Sequence, residues 1–248
     1  GDGIGVEVVR EARLLLEALN ASERLDLELI DWDLGAERYL REGVTITDEE
    51  FASLAEYDAV LLGALRDPRV PGNEHAKDML LGMRSKLDLY VNYRPCVLPS
   101  PELSPLASVS GPFRLDTFRE NTEGLYAGLG GSFKTGTPDE IAIEEDLHTR
   151  KGVERIIRAA FEYAESRGRS RITLVDKANV QRFVGDLWRR VYAEVGRAYP
   201  DIEQDAMYVD AMAMDLVRRP ERYEVIVTSN LFGDIISDLA AGVTGGLG

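Results

Sequence analysis

Residues 225–242 constrain the fold most. Val225, Ile226 and Val227 make an apolar run that reads as a buried strand, and helical spacing takes over after Asn230. Asp234 and Asp238 stand four residues apart, so both carboxylates share one helix face while Ile235, Ile236 and Leu239 take the others. Two like charges stacked in this way repel by roughly a few tenths of a kcal/mol in an isolated helix. A cation between them removes the conflict, and two hard oxygens suit Mg²⁺ or Mn²⁺. The other reading is a solvated acidic face, the ordinary place for carboxylates.

The same alternation of apolar runs and helical stripes recurs along the chain. After the opening GDGIG, a helix is predicted from Val8, Val9, Ala12, Leu15, Leu16 and Leu19. The glycines let the backbone approach a ligand at the helix N-terminus, although G-x-G-x-x-G is not matched and no strand precedes it. Residues 25–30 and 58–64 are predicted strands, with a capping box at Thr47 and Glu50 between them. A helix is predicted over 74–85, then a strand that delivers Arg94 just before Pro95. Four prolines in residues 98–112 mark a loop or domain crossing, and Gly/Thr-rich residues 128–145 suggest a β arm.

A strong amphipathic helix runs through Val153, Ile156, Ile157, Ala160, Phe161 and Ala164 and stops at Gly168. A strand then ends at Lys177 and Asn179, followed by a helix over 183–199. Another short strand delivers Asp210 to the start of a helix that ends before Pro220. Such alternation indicates an α/β fold with sites at the strand C-termini.

With 248 residues the chain can bury a sizeable core in one or two domains. A net charge of −15 disfavours nucleic acid or an anionic membrane as partner. No stretch is long and apolar enough to span a membrane. The single cysteine, Cys96, excludes an internal disulfide and fits a reducing cytosol, so a cytoplasmic location is expected. Arg84, Arg94 and Arg119 fall at element ends, where they are either surface charges or a cluster that grips a polycarboxylate. Lys177 at a strand end is either exposed or, beside a metal, a proton carrier. His75 and His148 have no zinc or triad spacing and are expected to be structural or on the surface.

Taken together, GDGIG, the arginine followed by LDLYVNYRP, RENTEGLYAG, VDKANV, YVDAMAM and SNLFGDIISDLAAG occur in an order that resembles the β-decarboxylating dehydrogenases of (R)-hydroxyacids, the isocitrate and 3-isopropylmalate dehydrogenase family. The resemblance implies a two-domain isopropylmalate dehydrogenase-like fold, with an open sheet domain and a smaller dimer-forming domain. Residues 1–89, with 245–248 returning, would belong to the large domain, and 90–244 to the small one with its arm and dimer helices.

It also implies roles. Arg84, Arg94 and Arg119 match the substrate-carboxylate arginines, and Asp210, Asp234 and Asp238 match the metal ligands, Asp210 also facing substrate. Lys177 matches the lysine that takes the hydroxyl proton, and Tyr126 the tyrosine that protonates the enolate. Ile4, Asp67, Lys77 and Asn179 fall at positions that face NAD. In this family the lysine and first aspartate come from the neighbouring subunit, so a homodimer with shared sites is implied.

Substrate choice rests on the helix before Arg84. Isocitrate relatives carry small polar residues where this chain has Asp78 and Leu80, and homoisocitrate relatives carry an arginine at the place of Leu81. Leu80 and Leu81 suit a branched aliphatic group, which favours 3-isopropylmalate and leucine biosynthesis, with tartrate and D-malate relatives as the alternative.

Three departures stand out: Val6 in place of a proline, Lys77 in place of a glutamate near the nicotinamide, and an end at GGLG before the adenine loop. The chain therefore looks like a fragment that lacks the first strand and the C-terminal part. An inactive truncated dimerising module is the competing expectation.

Overall fold

The structure, a computed structural model, describes residues 1–246. It divides into two compact units, Gly1–Asp88 and a second beginning at Leu89. The expected return of 245–248 to the first unit lies, for residues 247 and 248, outside the described residues.

The first unit holds α1 (Ile4–Glu23), α2 (Ala36–Glu42), α3 (Asp48–Leu54) and α4 (Glu74–Lys86). Phe51, Leu54, Met79 and Met83 are buried together against Trp32, Leu34, Ile46, Leu65 and Leu87. The capping box forms as the sequence predicts: Thr47 accepts from the Glu50 N–H, and the Glu50 carboxylate accepts from the Thr47 N–H.

The strands expected at 25–30 and 58–64 do not form, and each has a physical reason. Asp26 sits at φ 56°, a left-handed conformation that breaks a pleat. The Asn20 side chain bonds both the N–H (2.9 Å) and the carbonyl (3.0 Å) of Leu27, taking groups that a ladder would use. In the second segment Val60, Leu61 and Leu62 are exposed, and Ala64 accepts instead from the Asp2 N–H of the Gly-rich turn at 2.6 Å. An apolar run predicts burial against a neighbour, but a strand also needs a partner for its backbone.

The second unit contains β1 (Val91–Leu98), β2 (Phe113–Glu120), β3 (Gly130–Phe133), β4 (Ile141–Glu144), α5 (Arg150–Ser166), β5 (Arg171–Asp176), α6 (Arg182–Gly196), β6 (Glu203–Tyr208), α7 (Val209–Arg218), β7 (Val225–Thr228) and α8 (Asn230–Val243). Five strands form one sheet in the order β1-β2-β7-β5-β6. β1 pairs antiparallel with β2, and β2, β7, β5 and β6 run parallel. Pro95 is tolerated because β1 is an edge strand. β3 and β4 make the expected separate antiparallel arm.

Period-two alternation gives this sheet two apolar faces. Ile172, Leu174, Val225 and Val227 pack with α5 and α6 on one side. Val175 and Ile226 pack with Met212 and Leu216 of α7 and Ile236, Ala240 and Ala241 of α8 on the other. α5 ends because Gly168 takes φ 61°, which lets its N–H reach the Glu165 carbonyl (3.1 Å) and the next N–H reach Ala164 (2.8 Å).

Candidate active site

The parallel strands β2, β7, β5 and β6 all end on one edge of the sheet, and that edge carries most of the candidate site residues of the second unit. Arg119 lies next to the end of β2, α8 starts after β7, Lys177 follows β5 and Asp210 follows β6. Neighbouring strands β7 and β5 send their following helices to opposite faces, which opens a crevice between their C-terminal ends.

Asp234 is the hub. Arg119 pairs with its Oδ1 through Nη1, and Arg94 Nη2 approaches the same oxygen at 3.4 Å. The Tyr126 hydroxyl donates to Oδ2 at 3.0 Å, and its ring lies 5.1 Å from the Arg119 guanidinium carbon. Arg94 also donates through Nη1 to Asp238 and to Ser237 Oγ, both at 3.0 Å, and through Nε to Asn92 at 3.0 Å. Two cations thus neutralise the stacked carboxylates of α8, while Asp238 stays largely exposed.

Arg119 is only 1% exposed, an expensive place for a charge without partners. Asn230 supplies two of its bonds, accepting at Oδ1 from Nε (2.9 Å) and Nη2 (2.7 Å). Gly233, one turn along α8, makes room for it: a Cβ there would lie 2.5 Å from Arg119 Cγ and 2.6 Å from its Cβ.

Lys177 and Asp210 form a second pair, Nζ donating to Oδ1 at 2.6 Å. The hydrogen bond from Lys177 holds the Asp210 carboxyl below the usual carboxylate range. Behind them Asp176 is buried and gripped by Arg189 at 2.6 and 3.1 Å. Asn179 is exposed beyond Lys177. β6 lies two strands from β7, so Asp210 stands about 10 Å along the edge from the start of α8. Accordingly, no three His, Cys, Asp or Glu side chains gather as a metal site among the described residues.

In the first unit, Lys77, Leu80, Leu81 and Arg84 lie on one face of α4, opposite the buried Ala76, Met79 and Met83. Leu80 and Leu81 are exposed, and Asp78 turns to accept from Thr45 Oγ1 at 3.1 Å. Ile4 is exposed in the first turn of α1. Asp67 is held at about 2 by its hydrogen bond from Arg69. His75 is buried against Asp2 at 2.8 Å, and His148 sits between Asp146 (2.9 Å) and the Trp188 N–H (3.2 Å), so of the two expectations, structural or surface, both histidines meet the first.

The sequence profile described as isocitrate/isopropylmalate dehydrogenase matches residues 1–248. The chain belongs to that family.

Within the family, the 3-isopropylmalate dehydrogenase of Corynebacterium kroppenstedtii is 49% identical over the whole chain, which covers 72% of that protein. The enzyme of the same name from Thermobifida fusca is 46% identical, with 70% of it covered. Among solved structures, the isocitrate dehydrogenase of Methylococcus capsulatus matches with a TM-score of 0.84 and 38% identity, over 99% of this chain and 69% of that one. A Thermus thermophilus protein matches equally, with a TM-score of 0.84, 35% identity, and 99% and 47% of the two chains covered. Family motifs, however, do not announce everything in the site. Asn92, Asn230, Gly233 and Ser237 all hold an arginine in place or make room for one, and no spacing or charge pattern in the sequence marks them for it. Their signal was faint: small or neutral polar residues set between the charged ones.

Proposed function

We propose that the protein carries out metal-dependent oxidative decarboxylation of a 3-isopropylmalate-type 2-hydroxy dicarboxylate with hydride transfer to NAD, in leucine biosynthesis and in the cytoplasm. The observation that carries this reading is the convergence of Arg94, Arg119 and Tyr126 on Asp234. Two guanidiniums and a phenol held around one carboxylate suit a site that grips carboxylates and moves one proton.

Arg94 and Arg119, with Arg84, bind the substrate carboxylates through charge-assisted hydrogen bonds. Leu80 and Leu81, exposed on the same face of α4 as Arg84, receive the branched alkyl group. Lys177, as the neutral amine, accepts the hydroxyl proton as hydride leaves C2, and Asp210 holds its nitrogen in place. Loss of CO₂ leaves an enolate, and Tyr126 delivers a proton to its carbon. Ile4, Asp67, Lys77 and Asn179 line the cofactor.

Asp234 and Asp238 offer hard oxygens on one helix face, a donor set that fits Mg²⁺ or Mn²⁺, and Asp210 would complete it. When bound, such an ion supplies Lewis-acid stabilisation of negative charge on the substrate oxygen. As the family resemblance implies, Asp210 and Lys177 serve the site of a second copy and the working unit is a homodimer; their separation from Asp234 along the sheet edge supports this reading. Residues 1–89, with 245–248, are then part of the large domain, and 90–244 form the small domain.

The test is NADH formation by the full-length protein with Mn²⁺, comparing 3-isopropylmalate, isocitrate, tartrate and D-malate. A preference of about tenfold or more in kcat/KM for 3-isopropylmalate, about 1.4 kcal/mol in the transition state, is expected. A preference for tartrate or D-malate would keep the mechanism and replace the substrate. No turnover with any of them would return the chain to a non-catalytic role.

A further inference from the structure

Asn230 opens α8, is completely buried and makes three hydrogen bonds. Its Oδ1 accepts from Arg119 Nε at 2.9 Å and Nη2 at 2.7 Å, and its Nδ2 donates to the Glu123 carbonyl at 3.1 Å. A guanidinium only donates and a carbonyl only accepts, so one orientation of the amide satisfies both. With one edge of the guanidinium tied to Asn230, Nη1 is aimed at Asp234. The close approach of Gly233 to the Arg119 Cβ and Cγ keeps the stem of that side chain against α8.

The residue type at 230 is informative. The first turn of a helix favours a carboxylate, because its free N–H groups carry partial positive charge. An aspartate has the shape of this asparagine. It would also set a second carboxylate beside Arg119, which Asp234 already pairs, and an oxygen against the Glu123 carbonyl. The neutral amide is therefore fitted to the arginine rather than to the helix.

We propose that Asn230 is a positioning residue that sets affinity for a substrate carboxylate: it fixes the plane of the Arg119 guanidinium without adding a second carboxylate to the one that Asp234 already sets against its positive charge. This rests on the reading of Arg119 as a carboxylate ligand given above. A carboxylate at 230 competes with the substrate for that charge, so the loss appears in binding rather than in the chemical step.

The experiment compares Asn230→Asp and Asn230→Ala with the wild type in the full-length protein. KM and kcat are measured with 3-isopropylmalate, NAD and Mn²⁺. Binding of 3-isopropylmalate to the Mn²⁺-loaded protein is measured by calorimetry without NAD, and melting temperature is followed in parallel. N230D is expected to raise KM and Kd about tenfold or more with kcat within about threefold of wild type, and N230A to raise them less, losing alignment without adding charge. Wild-type KM and Kd in both variants, or a loss confined to kcat, overturns the proposal. If N230D does not fold, N230A decides: a rise of about threefold in KM supports the proposal and an unchanged KM overturns it. A wild type that neither binds nor oxidises any of the hydroxy dicarboxylates overturns the functional reading and the proposal with it.

Discussion

The Tyr126 hydroxyl donates to Oδ2 of Asp234 at 3.0 Å, while Arg119 holds the other oxygen of the same carboxylate. A phenol so placed has a fixed direction and a proton to give. Tyr126→Phe keeps the ring against Arg119 and removes the proton. Its kcat is expected to fall about a hundredfold, with KM changed far less. Steady-state kinetics checks this, and a fall in KM affinity equal to the fall in kcat would contradict it.

Asp234→Ala removes the acceptor shared by Arg94, Arg119 and Tyr126. Lost charge-assisted hydrogen bonds to a buried arginine cost about 2–3 kcal/mol of stability, read by denaturant unfolding. The variant is also expected to need far more Mn²⁺ for half-maximal activity, whereas Asp238→Ala, at an exposed carboxylate, alters the metal requirement with little change in stability.

At Gly233 two effects oppose. Alanine improves helix propensity by about 1 kcal/mol. Its Cβ would press on the Arg119 stem from 2.5 Å, and overpacking of this kind costs about 1–3 kcal/mol. The contact wins, because Arg119 is buried and held at its far end by Asn230 and Asp234. Gly233→Ala is therefore expected to lower the melting temperature and to raise KM; a higher melting temperature would show that the stem yields freely.

Leu80 and Leu81 are exposed, so replacing both with alanine should alter stability by about 0.5 kcal/mol or less. If they receive the alkyl group of the substrate, the double variant loses about tenfold or more in kcat/KM for 3-isopropylmalate and keeps its rate on D-malate. Equal losses on both would remove these leucines from substrate recognition.

Asp116 supplies a pH dependence in the middle of β2. Burial pushes its carboxyl up, but hydrogen bonds from Arg114 (3.0 Å to each oxygen) and Tyr93 (2.8 Å) outweigh this and bring it below the usual range. A depressed carboxyl stabilises the fold above its unfolded value near pH 4 and loses that contribution as pH falls through the lowered value. Asp116→Asn is expected to cost about 2 kcal/mol at pH 7. Its deficit should shrink below about pH 4. Thermal melts at pH 7 and pH 3 check the sign.

The second unit was largely legible in the sequence, because its strands are short and apolar and its helices carry long regular stripes. Val225 to Val227 and the α5 stripe from Val153 to Ala164 are buried as their periodicity requires. The charged residues of the candidate site stand out in the sequence because Arg119, Asp234 and Lys177 each sit in one of its ordered motifs. Asn230 and Gly233 do not, because their meaning depends on a side chain from β2 lying across α8, and sequence spacing carries no record of that contact. The segments at 25–30 and 58–64 failed for a different reason. Apolar patterning reports which side chains avoid water, and Asn20 intercepting the backbone of Leu27 leaves no mark in that pattern.

Pro95 has a consequence beyond its own strand. β1 bounds the sheet on one side with a residue that lacks an N–H, and β6 bounds it on the other with Glu203 and Asp205. Both borders discourage a further strand from adding on. A sheet so finished resists lengthening by edge-to-edge association at high protein concentration. Replacing Pro95 with valine would restore a free donor to one border and open a route to aggregation without altering Asp234 or the side chains that converge on it.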